Sequence, residues 1–254
     1  MDQVLAGKVA IVTGAGGDKG IGAAYAWTLA EAGAAVVVAD VDASGAEIVS
    51  ERLVARGFMA IPVPVDITEQ TSVDALAAET ISAFGGIDIL VNNAALMAEL
   101  SRAVSLVDYP MDEWQRVLDV NLTGALRCVR AVVPSMRERG GGKIINQSSG
   151  GAFAPGSAYA ISKLALVGLT AALARQLGPD GINVNAIAPG LVETEAGLRI
   201  IPEGSPSRER FTAAVRQAGT PDDLCGALLL LASPAGDWIT GQTLNVDGGW
   251  IMRV

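Results

Sequence analysis

The chain has 254 residues, half of them hydrophobic, so it can bury a large core without disulfides or metals. Its formal net charge of -9 at pH 7 argues against nucleic acid or an anionic membrane as a partner. The chain contains no histidine, which excludes Ser-His-Asp hydrolysis and most zinc chemistry. Acid–base work would therefore fall to Tyr, Lys, Asp, Glu or Cys.

The sequence lacks the features of an exported or membrane-inserted chain. No basic N-terminus precedes an apolar stretch with a small-residue cleavage site, and no apolar run is expected to reach membrane-spanning length. The two cysteines, Cys128 and Cys225, lie far apart and form no Cys-x-x-Cys pair. We expect both to be buried thiols, and the protein to be cytoplasmic.

Strand-like apolar runs alternate with amphipathic segments along the chain. Seven strands are predicted at Lys8–Thr13, Ala35–Ala39, Phe58–Val63, Ile87–Val91, Lys143–Gln147, Ile182–Ile187 and Thr243–Val246. Helices are predicted at about Gly20–Ala32, Ala43–Arg56, Glu69–Phe84, Met111–Arg139 with a candidate break at Pro134, Ala158–Leu177 and Pro221–Ala232. This alternation indicates right-handed βαβ crossovers and a doubly wound parallel α/β sheet, in a single domain over residues 1–254.

One stretch, Glu195–Ser207, fits neither pattern because it is rich in Gly, Pro and Ser. Its apolar residues Leu198, Ile200 and Ile201 argue against a solvated spacer. Long loops in compact domains are usually functional or disordered. We expect a substrate lid at about residues 195–217, and a plain surface loop is the alternative.

A glycine-rich turn over Val9–Gly22 joins the first strand to the first helix. Glycines let a backbone approach a pyrophosphate, although any tight strand-to-helix turn also uses them. Asp40, at the end of the second strand, can accept both ribose hydroxyls of an adenosine. It would repel a 2′-phosphate by about 4 kcal/mol per unit charge pair at ~4 Å. These features predict NAD rather than NADP; Lys19 opposes that preference, and a helix N-cap is the alternative role for Asp40.

Tyr159 and Lys163 are four residues apart at the start of an apolar helix, which places both side chains on one face. A free tyrosine has a pKa of ~10, and lowering it toward neutrality needs about 4 kcal/mol. An adjacent ammonium in a partly dry site is a source of much of that stabilisation. The pair is therefore a candidate proton donor and acceptor, although a solvated helix face is the default for this spacing alone.

A series of motifs, taken in order, resembles the short-chain dehydrogenase/reductase family over nearly the whole chain. The motifs are TGAGGDKGIG (Thr13–Gly22), Asp40, VDIT (Val65–Thr68), NNAA (Asn92–Ala95), VNLTG (Val120–Gly124), IINQSS (Ile144–Ser149), YAISK (Tyr159–Lys163), APGLVET (Ala188–Thr194) and VDGG (Val246–Gly249). The resemblance implies a Rossmann-type sheet of seven parallel strands, in the order 3-2-1-4-5-6-7, with helices on both faces.

The resemblance also implies a catalytic set. Tyr159 would be the general acid/base, and Ser149 would hold the substrate oxygen. Lys163 would lower the pKa of Tyr159 and grip the nicotinamide ribose, while Asn121 would hold a water in a proton relay. The implied cofactor contacts are Gly14, Gly20, Ile21, Gly22, Asp40, Asp66, Ile67, Asn93, Tyr159, Lys163, Pro189, Gly190, Val192 and Thr194.

The chain departs from the family pattern in two places that matter for the site. Five residues separate Gly14 from Gly20, more than is usual, so the phosphate contacts of the turn stay open. The stretch from Ser149 to Tyr159 is shorter than usual, and either Ser148 or Ser149 faces the substrate. We choose Ser149 because of its place at the strand end.

By resemblance, we expect an NAD(H)-dependent oxidoreductase that interconverts a secondary alcohol and a ketone, without a metal, as a homotetramer or homodimer. A small, fairly apolar substrate is expected from Leu96, Met97, Phe153, Leu198 and Ile201, any of which is alternatively core. A ketoacyl-thioester reductase using NADPH is one alternative, and a non-catalytic nucleotide sensor or scaffold is another. Long helices at Asp112–Arg139 and Ala158–Leu177 would form one interface, and the C-terminal Trp250–Val254 is expected to pack on a neighbouring subunit.

Overall fold

The apolar runs pair as one parallel sheet in the order β3-β2-β1-β4-β5-β6-β7. The computed structural model describes residues 3–97, 105–200, 204, 212–215 and 218–253. Its strands are β1 (Val9–Thr13), β2 (Ala35–Asp40), β3 (Ala60–Pro64), β4 (Ile89–Asn92), β5 (Gly142–Gln147), β6 (Ile182–Pro189) and β7 (Thr243–Val246). Strands β1 and β4 are buried throughout, as expected where helices cover both faces. The predicted fold class and strand order are confirmed.

Helices cover the two faces of this sheet. The described residues form α1 (Ile21–Glu31), α2 (Ala43–Ala55), α3 (Gln70–Phe84), α4 (Met111–Leu118), α5 (Ala125–Glu138), α6 (Ala158–Leu177), α7 (Glu195–Ile200) and α8 (Asp222–Ala232). Alternate residues of each strand enter different cores: Val12 packs with α1 and α8, whereas Ile11 packs with α3, α5 and α6. This period of two follows from the strand pleat.

The helical stretch between β4 and β5 is interrupted at a different place from the one predicted. A π-helical turn, Asp119–Gly124, joins α4 to α5, while Pro134 lies inside α5. The predicted break at Pro134 is wrong because its neighbours Val133 and Met136 are buried, and their packing holds the helix together around the proline. Single π turns inside helices are frequent at functional sites.

Other boundaries shift by one or two residues. Strand β4 begins at Ile89 rather than Ile87. At the start of the β1–β4 pairing, the Asp88 carboxylate, not a backbone carbonyl of β4, accepts the hydrogen bond of the Val9 backbone N–H, at 2.9 Å. The first part of the predicted irregular stretch is a short helix, α7. Most of the predicted lid, including Ile201, lies outside the described residues.

Two expectations about burial need amendment. Cys128 is buried, and burial raises its pKa to about 12, but Cys225 is only half-buried. One stretch, Ala158–Asp180, is long and apolar enough to cross a membrane by length and composition, contrary to the sequence prediction. Half of it is buried inside the fold, and the core helix of a folded protein meets the same two criteria.

Candidate active site

A cavity of about 1300 Å³ opens at the carboxyl ends of β1, β2, β3 and β4. In open α/β sheets, ligands bind at this edge, where the strand order reverses. The described lining comes from the glycine turn after β1, the ends of β2, β3 and β4, the π turn and the start of α7. It includes Gly14, Gly20, Ile21, Gly22, Asp40, Asp66, Ile67, Asn93, Met97, Val120 and Thr194. Many residues predicted to contact a cofactor therefore share one cavity.

The glycine turn has no room for side chains at two of its glycines. A Cβ on Gly14, whose φ is +67°, would lie 2.6 Å from the Cα of Ala94. A Cβ on Gly22 would lie 2.3 Å from the Gly14 carbonyl oxygen. Asn93 ties the turn to β4 by donating its amide to that same carbonyl at 2.8 Å. The backbone at the start of α1, where Gly20, Ile21 and Gly22 line the cavity, thus fits a pyrophosphate group.

The extra residues of the turn fold onto α2. The backbone N–H of Gly16 donates to the Asp40 carboxylate at 2.7 Å. A Cβ on Gly45, in the first turn of α2, would lie 2.6 Å from the Gly16 carbonyl oxygen. Asp18 forms an ion pair with Arg52 further along the same helix. The lengthened turn is therefore docked on α2, a feature that the motif spacing alone did not reveal.

Asp40 is placed to face a ligand rather than to cap a helix. It lines the cavity, and its carboxylate also accepts from the Asp42 backbone at 3.0 Å. Asp42, not Asp40, is the residue that precedes α2. The N-cap alternative for Asp40 is therefore ruled out by position.

Asp66 and Ile67 form another part of the cavity wall. The Asp66 carboxylate accepts from the backbone and hydroxyl of Thr68, at 2.9 and 2.7 Å, and these bonds hold its pKa below the usual range. Ile67 packs against the π turn so closely that a Cβ on Gly124 would lie 2.8 Å from its Cδ1. The wall is thus held in place from both sides.

Tyr159 and Lys163 lie on the first two turns of α6. Ser157 caps this helix by accepting the Ala160 N–H at 3.2 Å. Both side chains are buried, and the Lys163 ammonium donates to the Gln147 carbonyl oxygen at 2.6 Å. It lies 5.7 Å from the centroid of the Tyr159 ring. The predicted spacing does bring the two groups onto one face.

Burial controls the ionisation of this pair in the structure. It raises the pKa of Tyr159 to about 12, against a hydrogen bond to Ser149 that lowers it. It also lowers the pKa of Lys163 to about 7. Loss of water disfavours both charged forms, and the lowering of the Tyr159 pKa by Lys163 that the family resemblance implies stays a prediction.

The two adjacent serines have different partners. Ser148 is buried, and its hydroxyl donates to the Lys163 backbone carbonyl at 3.0 Å. Ser149 is hydrogen-bonded to the Tyr159 phenol and also accepts the Gly151 N–H at 3.1 Å. Of the two alternatives left open by the sequence, Ser149 is the one that faces Tyr159.

Asn121, in the π turn, connects this group to the cavity. Its amide oxygen accepts the Leu96 N–H at 2.8 Å, and its amide nitrogen donates to the Ser162 hydroxyl at 3.0 Å. Leu96 lines the cavity, and Ser162 lies beside Lys163 on α6. The described cavity lining does not itself include Ser149, Tyr159 or Lys163, so Asn121 is the structural link.

Gln147 is a site residue that sequence reasoning missed. Its backbone carbonyl holds Lys163, and its side chain accepts from the buried Tyr25 hydroxyl at 2.8 Å. Burial raises the pKa of Tyr25. Because the contact to Lys163 is made by the backbone, no residue type marks it; only the position of Gln147 at the strand end gives a signal.

The segment after β6 supplies the remaining predicted contacts. Pro189 ends β6, and Val192 pairs with Gly219 in an isolated bridge. Thr194 lines the cavity and accepts the Gly197 N–H at 2.9 Å, which caps the start of α7. Gly190 lies between Pro189 and Val192, and its backbone closely approaches the backbone of Asp247.

The predicted substrate residues do not form one group. Met97 lines the cavity. Phe153 lies in the 3₁₀ turn Gly150–Phe153, with the Arg253 guanidinium 4.2 Å from its ring centroid. Leu198 lies on α7, 38 % exposed, and is not among the described lining.

A doubly wound sheet that carries a glycine turn at the end of β1 and a buried Tyr–Lys pair beside a serine defines a Rossmann-type oxidoreductase. A family model described as enoyl-(acyl carrier protein) reductase matches residues 14–251. The chain belongs to the short-chain dehydrogenase/reductase family.

Known relatives span several activities. An uncharacterised oxidoreductase of Mycobacterium tuberculosis is 47% identical, over 97% of this chain and 98% of the relative. A 3-alpha-(or 20-beta)-hydroxysteroid dehydrogenase of Mycobacterium bovis is 38% identical, over 99% and 92%. A 3-oxoacyl-[acyl-carrier-protein] reductase of Synechocystis is also 38% identical, over 98% of each chain.

Solved structures of related proteins superpose over almost the whole chain. A 7 alpha-hydroxysteroid dehydrogenase complexed with NADH and 7-oxo glycochenodeoxycholic acid has a TM-score of 0.90 and 36% identity, covering 99% of this chain and 97% of its own. A gluconate 5-dehydrogenase from Burkholderia cenocepacia, in complex with NADP and tartrate, has the same score and identity, covering 100% and 99%.

Proposed function

We propose that this protein is an NAD(H)-dependent oxidoreductase that interconverts a secondary alcohol and a ketone. The observation that carries the proposal is the buried Tyr159–Lys163 pair, with Ser149 hydrogen-bonded to the phenol. The relatives that act on hydroxysteroids and gluconate support alcohol oxidation as the reaction class.

The acid–base step belongs to Tyr159. In reduction its phenol protonates the carbonyl oxygen, and in oxidation its phenolate takes the alcohol proton. Ser149 donates a hydrogen bond to the same oxygen and so stabilises the charge that develops there. The nicotinamide cofactor, when bound, supplies or accepts the hydride.

Lys163 and Asn121 serve this proton transfer indirectly. The Lys163 ammonium grips the nicotinamide ribose and adds positive charge near the phenol, which offsets part of the burial that holds the pKa of Tyr159 at about 12. Asn121 holds the loop that begins at Asn93 against α6, and the water it positions connects Lys163 to solvent.

Asp40 supports a preference for NAD over NADP. The glycine turn would receive the pyrophosphate, Asp40 would accept hydrogen bonds from the ribose hydroxyls, and Asp66 and Ile67 would flank the adenine. The nicotinamide amide would be held by Pro189, Gly190, Val192 and Thr194. The Asp40 carboxylate lines the cavity and would repel a 2′-phosphate. Lys19 lines the same cavity and acts in the opposite direction.

A 3-ketoacyl-thioester reductase that uses NADPH is the second candidate. The Synechocystis relative and the matching family model, described as an enoyl-(acyl carrier protein) reductase, favour it. The Asp40 carboxylate opposes it. Rates with NAD⁺ and NADP⁺, on a panel of secondary alcohols, separate the two candidates: strong use of NADP⁺ contradicts the first.

Replacing Tyr159 with Phe tests the reaction mechanism. Because the phenol hydroxyl alone is removed, we expect kcat to fall by about 10²–10⁴-fold. Affinity for NADH, measured by nicotinamide fluorescence, is expected to stay within about twofold, since the ring and Lys163 remain. Unchanged turnover would remove Tyr159 from its role, and a wild-type protein that binds no nicotinamide cofactor would contradict the proposed function itself.

A further inference from the structure

The end of the chain folds back onto the segment that carries the catalytic serine. Ser149 begins the 3₁₀ turn Gly150–Phe153. The Trp250 ring lies so close to this turn that a Cβ on Gly150 would be 2.7 Å from its Cζ3 atom. Trp250 packs within its own chain, beside the segment that carries Ser149, and the expected packing of Trp250–Val254 on a neighbouring subunit stays a prediction.

Asp247 fixes the position of this C-terminal tail, residues 248–253. Its carboxylate accepts the backbone N–H groups of Gly249 and Ile251, each at 2.9 Å, and the Asn245 amide at 3.2 Å. Asn245 also donates to the Ile251 carbonyl at 3.2 Å. Three donors on one carboxylate make an ordered turn, so residues beyond it project in a defined direction.

Arg253 is the charged group that this turn presents. Its guanidinium lies 4.2 Å from the centroid of the Phe153 ring, within the range of a cation–π contact, and it donates to the Thr243 carbonyl oxygen of β7. In the part of the chain that the structure describes, the ion pairs occupy other basic residues and leave Arg253 without a carboxylate.

This cation lies close in the fold to the segment that carries Ser149. Phe153 is four residues after Ser149, at the other end of the same 3₁₀ turn, and Arg253 packs on its ring. A guanidinium held against an aromatic ring keeps in-plane N–H donors that match a carboxylate. The Phe153 ring and the C-terminal tail together fix the position of the Arg253 guanidinium before a ligand binds.

We propose that Arg253 is a specificity-determining residue that binds a carboxylate of the substrate, remote from the carbon that is oxidised or reduced. The substrate class is then an apolar secondary alcohol or ketone that carries an acid group. This inference rests on the proposed alcohol–ketone chemistry and adds the substrate class to it. In a chain of net charge -9, a fixed cation at this edge also attracts such anions locally.

Matched acids and esters test the proposal. The probes are straight-chain oxo-carboxylic acids, with varied separation between ketone and carboxylate, and their methyl esters. A charge-assisted hydrogen bond predicts that the best acid exceeds its ester by roughly 10–100-fold in kcat/KM. In Arg253→Gln this preference is expected to vanish through a higher KM for the acid, with kcat and the rates for the ester unchanged.

Control variants separate recognition from packing. Arg253→Lys keeps the charge without the planar fork and is expected to retain an intermediate preference. Arg56→Gln makes the same change of charge at the exposed end of α2, on the opposite side of the sheet, and is expected to leave the acid preference intact. Binding of the acids to the enzyme–NADH complex, followed by nicotinamide fluorescence, is expected to weaken in Arg253→Gln alone.

Two results would overturn this assignment. One is a wild-type enzyme that treats acid and ester alike in both turnover and binding. The other is an equal loss for acid and ester in Arg253→Gln, which would assign the arginine to the packing of the tail. In either case turnover of neutral ketones leaves the proposed function standing, whereas failure to bind NADH would contradict that function instead.

Discussion

At the scale of single residues, two neighbouring serines at the end of β5 have separate duties. Ser149 contacts the phenol of Tyr159, whereas Ser148 donates to the backbone of α6. We expect Ser149→Ala to lower kcat by about 10²–10³-fold, the usual effect of removing a donor to a developing oxyanion, with little change in stability. We expect Ser148→Ala to lower the free energy of unfolding by about 1 kcal/mol and to affect kcat far less.

Steady-state kinetics and urea unfolding of both variants check this division. The pair forms its own control because the two substitutions are chemically identical and adjacent. A larger loss of turnover in Ser148→Ala than in Ser149→Ala would reverse the assignment of the serine that faces the substrate.

The sequence could predict which residue types meet at this site, but not their states. Tyr159 and Lys163 come together because a helix places positions four apart on one face. Their pKa values depend on burial, which the chain acquires only when α6 packs on the sheet. The hydrogen bond from Lys163 to the carbonyl of Gln147 could not be predicted from the sequence either, because every residue type carries the same backbone carbonyl.

At the scale of elements, the spacing of apolar residues along the chain predicted most strands and helices but not their irregularities. The π turn that carries Asn121 inserts into an otherwise regular helix, and its residues have no composition that distinguishes them. Pro134 led to the wrong prediction of a helix break, because the packing of α5 outweighs the low helix propensity of proline. The lengthened glycine turn was visible as a spacing, yet its docking on α2 through Gly16 and Asp18 depends on tertiary contacts.

The glycine turn makes a prediction at this scale. In Gly22→Ala the new methyl group would meet the Gly14 carbonyl at 2.3 Å and the Asn93 amide at 2.6 Å. The turn must shift, so we expect affinity for NADH to fall about tenfold or more and the free energy of unfolding to fall by about 1–3 kcal/mol. Nicotinamide fluorescence titration and urea unfolding measure the two effects.

Gly168→Ala is the matched control for that substitution. Gly168 lies in the interior of α6, is exposed, and has nothing within 4 Å of an added Cβ. We expect this variant to bind NADH normally and to be more stable by about 0.5–1 kcal/mol, because alanine loses less backbone freedom on folding. Equal NADH affinity in Gly22→Ala and Gly168→Ala would show that the turn does not hold the cofactor.

At the scale of the whole molecule, the two ends of the parallel strands have different tasks. The carboxyl ends carry the cavity and the glycine turn, and the residues that we propose for catalysis lie at this end of the sheet. The amino ends carry a cluster centred on the buried carboxylate of Asp88. This carboxylate accepts a hydrogen bond from the Val9 backbone N–H and two from the Arg139 guanidinium, the latter at 3.0 and 2.8 Å. It also forms an ion pair with Lys8. This cluster joins the starts of β1 and β4 to the end of α5, far from the proposed chemistry.

The separation predicts that stability and turnover can be changed independently. Asp88→Asn removes the charge that three donors share, so we expect the free energy of unfolding to fall by about 2 kcal/mol with kcat unchanged. Asp180→Asn is the control, because its ion pair with Arg137 is largely exposed and contributes about 0–1 kcal/mol. Urea midpoints and kcat at a temperature well below unfolding distinguish the two variants. A lower kcat in Asp88→Asn, with stability retained, would show that the amino ends of the strands take part in catalysis. Equal urea midpoints for Asp88→Asn and Asp180→Asn would show that the Asp88 cluster does not stabilise the fold.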